Sequence, residues 1–506
     1  MNKTKKSIFN FVVSIIYKFF VMGIGLIIPR LFILNYGSNL NGFQSSVSQI
    51  FAYISLIEAG VGEATLQAIY KPIAERNHQD TNAVLAATTK YYNKIGLAYF
   101  GILILMGIVY PLFVNVSELA MWQVFLYILI SGASSGVNFF YVAKVGIVVN
   151  AEGDSYWTSI FQFGVYILTS ASKIFCILHG YNIILIQFCY FTINMLYTLV
   201  LFAFAKKRYP WLNFKTEPNY KAIEQKDSVL LHKISGIVFQ NTDVLILTFF
   251  CDLNTVSIYT IYKLVINSIT SIIATLTGSV NFALGQTFAI DKEKYKEKID
   301  VFNILYTTIA FSFVTVTFIL YTPFIKLYTN GSDINYVDKW LPLLFVLVEV
   351  LMFGREAMML TITVAGHFKQ TLSRSLVESA INLTTSLVMV QFIGIYGVLL
   401  GTIVALLYRT VDINIYANKR ILARSSFTTF RIWITNMLLF ALIFLFTNSL
   451  KLSWISDYAS FIVAAVIITC VSFICFAVLN ITLNYPKLKS IIQSIPKIKF
   501  LNVTIQ

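Results

Sequence analysis

The sequence predicts an all-α polytopic membrane protein with about fourteen transmembrane helices, arranged as two parallel six-helix repeats plus two extra C-terminal helices. Three observations favour this fold. The 506 residues are 57% hydrophobic and only 12% charged, whereas about 25% of a soluble domain is charged. Basic residues are distributed unevenly between alternate loops. Landmarks of the first half of the chain recur in the second half.

The apolar stretches predict the individual spans, because crossing a bilayer takes about 20 mainly apolar residues. In chain order the spans cover about residues 9–34, 43–70, 93–115, 121–149, 157–178, 182–205, 229–251, 255–289, 299–328, 340–364, 376–394, 396–416, 430–449 and 456–480. The first span follows MNKTKK and has no small-residue cleavage site after it, so we expect an uncleaved helix rather than a signal peptide.

The basic residues predict the orientation of these spans, because cytoplasmic loops are enriched in Lys and Arg. With the N-terminus in the cytoplasm, cytoplasmic segments hold about 28 of the 38 Lys and Arg. Outer loops hold only Lys326, Lys339 and Lys451. One missed helix would invert every later loop and destroy this bias. We therefore predict that both termini are cytoplasmic, and we interpret the net charge of +15 as a consequence of topology rather than of nucleic-acid binding.

An internal repeat is indicated by three landmarks that recur about 212 residues later. They are Pro111 and Pro323, Gly153 and Gly366, and the basic pairs Lys206-Lys207 and Lys419-Arg420. Because each half contains an even number of spans, the halves have the same orientation and are related by an axis along the membrane normal. Such halves typically enclose a substrate cavity and alternate its access by rocking.

The repeat and the loops divide the chain into consecutive parts. We predict an N-terminal six-helix half at 1–208, a basic cytoplasmic linker at 209–228, a C-terminal six-helix half at 229–420, helices 13 and 14 at 421–480, and a basic cytoplasmic tail at 481–506. The outer loops are too short for a soluble catalytic domain.

Charged residues inside the spans are the candidate functional residues, since a charge at the helix centre costs about 2.5–3.5 kcal/mol even on mild insertion scales. The candidates for a cationic substrate cavity are Lys18, Arg30, Lys144, Lys263, Arg355 and Arg409. The candidates for charge pairing or ion coupling are Glu58, Asp243, Glu63 and Glu378.

Depth within the spans suggests two acid–base pairs, one in each half. Lys18 and Glu58 lie at one level of spans 1 and 2, and Asp243 and Lys263 lie at one level of spans 7 and 8. Alternatively, these pairs only neutralise each other and hold the helices in register.

Other intramembrane charges have a less specific interpretation. Glu63 and Glu378 lie nearer the cytoplasmic side and could reach the headgroups, and Arg30 could extend to the outer interface. Lys144, Lys173, Arg355 and Arg409 have no evident acid at matching depth, apart from Glu356 beside Arg355. Cations without a protein partner in a cavity favour an anionic substrate, which supplies the missing charge.

Motifs of enzymes and metal sites are missing from the sequence. There is no Walker A loop, no HExxH and no His cluster, and the five cysteines have no paired spacing. We therefore predict a transporter that is not an enzyme and has no cofactor. Its energy would come from a gradient such as proton or sodium, from the flow of the substrate, or from a partner.

Several short motifs, in this order and spacing, resemble one known family. They are Arg30, Tyr36-Gly37, Asn41-Gly42, Glu58-Ala-Gly-Val-Gly, Tyr70-Lys-Pro, Asn241-Thr-Asp243 and Val256-Ser-Ile-Tyr259. The pattern is similar to the bacterial polysaccharide repeat-unit (O-antigen, capsule or exopolysaccharide) flippases of the multidrug/oligosaccharidyl-lipid/polysaccharide exporter (MOP) superfamily. The match is strongest over about residues 10–115 and 230–290.

This resemblance implies a MATE-like fold in the bacterial cytoplasmic (inner) membrane. It implies transfer of undecaprenyl-pyrophosphate-linked oligosaccharides to the outer leaflet, in the lipid bilayer and in association with polysaccharide polymerases and glycosyltransferases. Spans 13 and 14 would form a groove for the lipid tail, as in related lipid II flippases. A lipid II-type flippase and a cation-coupled multidrug exporter remain alternatives. A membrane glycosyltransferase or polymerase is disfavoured because it typically needs a large outer loop.

Overall fold

The computed structural model describes residues 3–55, 61–140, 142–224, 241–447 and 452–494. Side chains are described from residue 20 onward within these ranges, except at positions 138, 139, 142, 279 and 490–494. Helices dominate these ranges, and none of the described residues forms a strand.

The first half of the chain forms the predicted series of spans 1–6. Its helices are α1 Lys3–Ile54, α2 Val61–Ala74, α3 His78–Phe113, α4 Met121–Phe140, α5 Val142–Ala151, α6 Ser155–Leu178 and α7 Ile183–Arg208. Helix α1 contains the first predicted span and the first part of the second, separated at Gly37, whose backbone is non-helical with φ 84° and ψ 170°. Glycine accommodates this positive φ without the steric cost that a Cβ would bring.

The second half forms spans 7–12 and the two additional spans. Its helices are α8 Asn241–Phe250, α9 Leu253–Ile290, α10 Lys292–Tyr328, α11 Leu341–Phe353, α12 Glu356–Val364, α13 Phe368–Ile393, α14 Ile395–Tyr416, α15 Phe427–Thr447 and α16 Tyr458–Ser494. Among the described residues, 10 helices are long and apolar enough to cross a membrane, and two shorter apolar helices lie in spans 4 and 7. The predicted all-α architecture of about fourteen spans is confirmed.

Local conformations agree with the predicted repeat. Gly153 and Gly366 both have positive φ, at 72° and 69°, in the turns after spans 4 and 10. Pro111 and Pro323 both lie within the last turns of long helices, α3 and α10. Corresponding positions of the two halves therefore have the same backbone conformation in the turn and carry a proline near the end of the corresponding long helix.

The chain packs as two compact units. The first comprises residues 1–261 and 331–335, and the second comprises residues 262–330 and 336–506. These two units are defined by packing. The domain boundaries at 208 and 228, which were predicted from the repeat and the loops, stay a prediction.

Each unit has its own aromatic core. In the first unit the Phe43 ring centroid lies 5.8 Å from that of Tyr110 and 4.9 Å from that of Tyr127. In the second unit the Tyr262 ring stacks at 5.1 Å on Tyr321 and at 5.7 Å on Phe345. Such aromatic contacts add to the dispersion energy of packing, which is the main attraction between helices in lipid.

The described part of the predicted linker packs against α3 of the first unit. The Trp211 ring stacks on His78 at 4.4 Å, and Asn82 donates a hydrogen bond to the Trp211 carbonyl oxygen at 2.9 Å. The buried Asp154 accepts hydrogen bonds from Arg208 at 3.1 Å and from the Tyr209 hydroxyl at 3.2 Å. Burial, reinforced by the charge of Asp154, raises the pKa of Tyr209, so this hydroxyl stays protonated and can donate.

The two additional helices pack on α10 within the second unit. The ring centroids of Phe311 and Phe476 lie 5.9 Å apart. Near the start of α10, Asp300 forms salt bridges with Arg424 at 2.7 Å and with Lys487 at 2.6 Å. Helices α15 and α16 are therefore joined to the six-helix half by apolar contacts along their length and by one buried carboxylate.

Candidate functional site

Span 10 is interrupted at Gly354-Arg355, between α11 and α12. Three side chains donate hydrogen bonds to carbonyl oxygens at this break: Thr410 at 2.9 Å, Asn414 at 3.1 Å and Trp433 at 3.2 Å. An unsatisfied carbonyl in hydrocarbon costs several kcal/mol, so an interrupted helix needs such donors. The break in span 10 is therefore stabilised by hydrogen-bond donors from span 12 and span 13.

Arg355 opens onto a cluster of five charged side chains, which we call the arginine–carboxylate cluster. Its members are Arg355, Arg374, Glu378, Arg409 and Asp412. Glu378 bridges two arginines, with N···O distances of 2.5 Å to Arg355 and 3.3 Å to Arg409. Asp412 lies 2.7 Å from Arg409 and also contacts Arg374. Three guanidinium groups thus share two carboxylates, and the acids Glu349 and Glu356 also act electrostatically on Arg355.

The cluster gives Arg355 and Arg409 acid partners that their positions in the sequence did not reveal. Glu378 is 7% exposed and Arg409 is 2% exposed, so their contacts lie inside the unit. This burial favours pairing of Glu378 over the alternative that it reaches the headgroups. Asp412 was not predicted as a partner, although its spacing of three residues from Arg409 on one helix is a usable signal.

A further buried acid lies one turn before the break. Glu349 is 7% exposed and accepts a hydrogen bond from Thr270 at 3.0 Å. Arg355 and Lys263 are the cations that act on it electrostatically. The predicted cavity cation Lys263 thus lies in the electrostatic environment of the broken helix.

Asp243 belongs to the first unit, and Lys263 to the second. Asp243 is 4% exposed and accepts a hydrogen bond from the Tyr259 hydroxyl at 2.6 Å. The predicted pairing of Asp243 with Lys263 stays a prediction.

The motif residues of span 2 fix the neighbouring helices. Asn41 donates a hydrogen bond to the Ser257 hydroxyl at 2.7 Å. A Cβ on Gly42 would lie 1.8 Å from the carbonyl oxygen of Leu253, so only glycine permits this approach. The Asn41-Gly42 motif therefore positions the start of span 2 against the start of span 8.

The other predicted pair involves residues whose contacts are not described. Glu58 lies outside the described residues, and Lys18 lies in α1 where side chains are outside the description. Arg30 is half-buried in α1, and Glu63 is exposed in the first turn of α2. The pairing of Lys18 with Glu58 and the roles of Arg30 and Glu63 stay predictions.

Two amines of the first unit differ from the arginines of the cluster. Lys144 in α5 is 7% exposed, and Lys173 in α6 lies over the Tyr190 ring with its Nζ 4.8 Å from the centroid. Over the described ranges, neither amine has a carboxylate within salt-bridge distance. These amines are therefore the clearest uncompensated positive groups in the described part of the first unit.

The fold is that of transporters of the MOP superfamily. The lipid II flippase MurJ in an inward closed conformation aligns with TM-score 0.70 and 13% identity, over 93% of this chain and 99% of MurJ. An inward-facing MATE family multidrug resistance transporter aligns with TM-score 0.63 and 16% identity, over 80% of this chain and 98% of that one. At these identities the likeness concerns the fold.

A third structure with this fold is a MOP superfamily transporter from Pyrococcus furiosus whose binding pocket is described as having reverse polarity. It aligns with TM-score 0.53 and 15% identity, over 83% of this chain and 95% of that one. Neither a protein-family model nor a curated protein sequence matches the chain. The predicted superfamily fold is thus confirmed. Membership of the polysaccharide flippase family is a proposal.

Proposed function

We propose that the protein flips undecaprenyl-pyrophosphate-linked oligosaccharide repeat units from the cytoplasmic to the outer leaflet by alternating access, for surface polysaccharide biosynthesis. Its place would be the bacterial inner membrane, with both termini in the cytoplasm. The MOP fold supports a transporter of this general kind. Polysaccharide polymerases and glycosyltransferases would be its partners in the pathway.

The observation that carries this proposal is the positive charge buried in the spans. Lys144 has no carboxylate within salt-bridge distance in the described ranges, and the side chains of Arg355 and Arg409 are only 12% and 2% exposed. Isolated ammonium groups away from water are costly, so an anion that supplies the countercharge gains binding energy. A pyrophosphate offers this charge together with several acceptor oxygens.

Arg355 is the cation best placed to exchange partners. It stands at the break of span 10 and shares Glu378 with Arg409, whose second carboxylate is Asp412. If a pyrophosphate oxygen accepts from Arg355, Glu378 still retains its contact with Arg409. Lys18, Arg30, Lys144, Lys263 and Arg409 complete the proposed cationic set. We assign Glu58 the same role toward Lys18, and Glu58 and Asp243 are also the candidates for proton coupling.

The lipid tail of such a substrate has to remain in the bilayer while the head group crosses. Helices α15 and α16 pack on α10 and carry many exposed apolar side chains, including Leu438, Leu445 and Ile462. We assign these helices to a lateral groove for the tail. Exposed apolar side chains are expected on any lipid-facing helix, so the groove rests on the proposed function.

The test is a clean deletion followed by mass spectrometry of undecaprenyl-pyrophosphate-linked sugars and measurement of surface polysaccharide. We expect lipid-linked repeat units to accumulate on the cytoplasmic side while surface polymer disappears. Plasmid-borne wild-type protein restores the polymer, and Arg355→Met restores less than Arg374→Met, which removes a more exposed arginine of the same cluster. An unchanged lipid-linked pool and unchanged polymer contradict the proposal.

A lipid II-type flippase is the second candidate, favoured by the alignment with MurJ over 93% of this chain. It is distinguished by depleting the resident lipid II flippase in a host cell and expressing this chain. Restored growth would favour lipid II as the substrate. A cation-coupled multidrug exporter, the third candidate, would instead raise resistance to cationic drugs without changing either lipid-linked pool.

A further inference from the structure

A small polar cavity lies within the first unit, apart from the arginine–carboxylate cluster. Four polar side chains, Gln44, Tyr127, Lys173 and Gln187, line it together with apolar residues of α1, α6 and α7. It has room for about one water-sized particle. No Asp or Glu is among the described residues that line it. The polar groups are thus an ammonium, two amides and a phenol.

The ammonium of Lys173 has only an aromatic partner in the described part of the chain. Its Nζ lies 4.8 Å from the centroid of the Tyr190 ring, and no acid forms a salt bridge with it. A cation–π contact is worth about 0.5–2 kcal/mol, which is small beside the several kcal/mol that it costs to remove an ion from water. The ammonium therefore retains an unmet demand for negative charge.

The two amides beside Lys173 are available as donors. The side chains of Gln44 and Gln187 make no hydrogen bond to any described residue, and Gln187 is 7% exposed. Buried polar groups are almost always paired, so amides that face a cavity indicate a ligand or water there. An amide can donate from its nitrogen, and an ammonium can only donate. Donors that converge on one cavity without a carboxylate suit an anion.

We propose that this cavity binds one small monovalent inorganic anion, such as chloride, through Lys173 with Gln44 and Gln187 as additional donors. One ammonium balances one negative charge, whereas a phosphate at neutral pH would bring excess charge. A halide also sheds water more readily than a multiply charged oxyanion. The site is distinct from the proposed pyrophosphate contacts at Arg355, and it makes the first unit responsive to the ion composition of the medium.

The test uses the purified full-length chain in detergent, with sodium chloride exchanged for sodium gluconate at constant ionic strength. We expect chloride and bromide, but not gluconate, to raise the melting temperature saturably, because a ligand that binds only the folded state stabilises it. Broadening of the ³⁵Cl NMR line by the protein measures binding directly. The variant Lys173→Met should weaken chloride binding by at least about tenfold, since it removes the countercharge.

Two further variants keep the test decisive. Lys206→Met removes a basic residue at the cytoplasmic end of α7 and should retain the chloride effect. Lys173→Arg keeps the charge and should retain most of the binding if Lys173→Met fails to fold. No saturable chloride effect in the wild type, or an unchanged effect in Lys173→Met, overturns the proposal. Binding is measured without transport, so its failure would leave the flippase proposal standing, and failure of the flippase assay would leave this site standing.

Discussion

Replacing Glu378 with glutamine tests the arginine–carboxylate cluster. The substitution keeps the size of the side chain but removes the charge that holds Arg355 at 2.5 Å and Arg409 at 3.3 Å. The net charge around Arg355 and Arg409 becomes more positive by one unit. Removing one partner of a buried ion pair typically costs about 3–5 kcal/mol. Arg409 keeps Asp412, so we expect the lower end, about 3 kcal/mol.

The assay is reversible unfolding of the detergent-solubilised protein, followed by tryptophan fluorescence and circular dichroism. A double-mutant cycle with Glu378→Gln and Arg355→Met isolates their interaction, for which we expect about 1–2 kcal/mol of coupling. The matched control is Arg374→Met, because the Arg374 side chain is 40% exposed and its partner Asp412 keeps Arg409. The control should cost less than about 1 kcal/mol.

A loss below about 0.5 kcal/mol in Glu378→Gln would refute this reasoning, because surface substitutions produce effects of that size. So would a coupling energy of zero with Arg355. Hydrogen bonds between transmembrane helices average only about 0.6 kcal/mol when measured by such cycles. A result near that value would mean that the guanidinium groups find water or other partners once Glu378 is neutral.

Two other predictions concern packing and capping. Gly42→Ala should destabilise the protein by about 1–3 kcal/mol in the same unfolding assay, since its Cβ would lie 1.8 Å from the backbone oxygen of Leu253, which cannot rotate away. The control Gly25→Ala should change stability little, because nothing lies within 4 Å of its Cβ. Equal losses of stability in the two variants would contradict the contact. Hydrogen bonds from Ser460 lower the pKa of Asp457 below its ordinary value of 3.8. The cap of α16 should therefore hold above that pH and weaken as pH falls through the lowered pKa. The measurement is the protection of the first-turn amides of α16, relative to their intrinsic exchange rate at each pH; Asp457→Asn should remove the acid-induced loss of protection, and a constant protection in the wild type would contradict the cap.

The predictable part of this structure is what depends on composition and loop charge. The number of spans followed from apolar length, and the repeat followed from landmarks such as Gly153 and Gly366, whose positive φ angles now explain why glycine stands at both. These features are local or periodic, so a single sequence displays them.

Partner choice within the membrane was not predictable, because it depends on which way a helix faces. Arg355 and Glu378 lie on different helices, and nothing in the spacing shows that they meet. The break at Gly354 was not predicted, because a single glycine inside an apolar stretch does not by itself show an interruption, and its support by Trp433 comes from another helix. Lys173 was recognised as a cation without an evident acid, but its cavity depends on side chains from four helices.

The bridge from Asp300 to Arg424 and Lys487 has a consequence for biogenesis. Asp300 is 7% exposed and lies near the start of α10, while Lys487 lies near the end of the last described helix. During synthesis Asp300 enters the membrane interface long before Lys487 leaves the ribosome. A chain that stops after span 13 keeps a buried carboxylate with Arg424 alone and exposes the α10 surface that α16 covers. Completion of the last helix is therefore the step at which the second unit acquires its full set of contacts, and nascent or truncated chains remain distinguishable from finished ones until then.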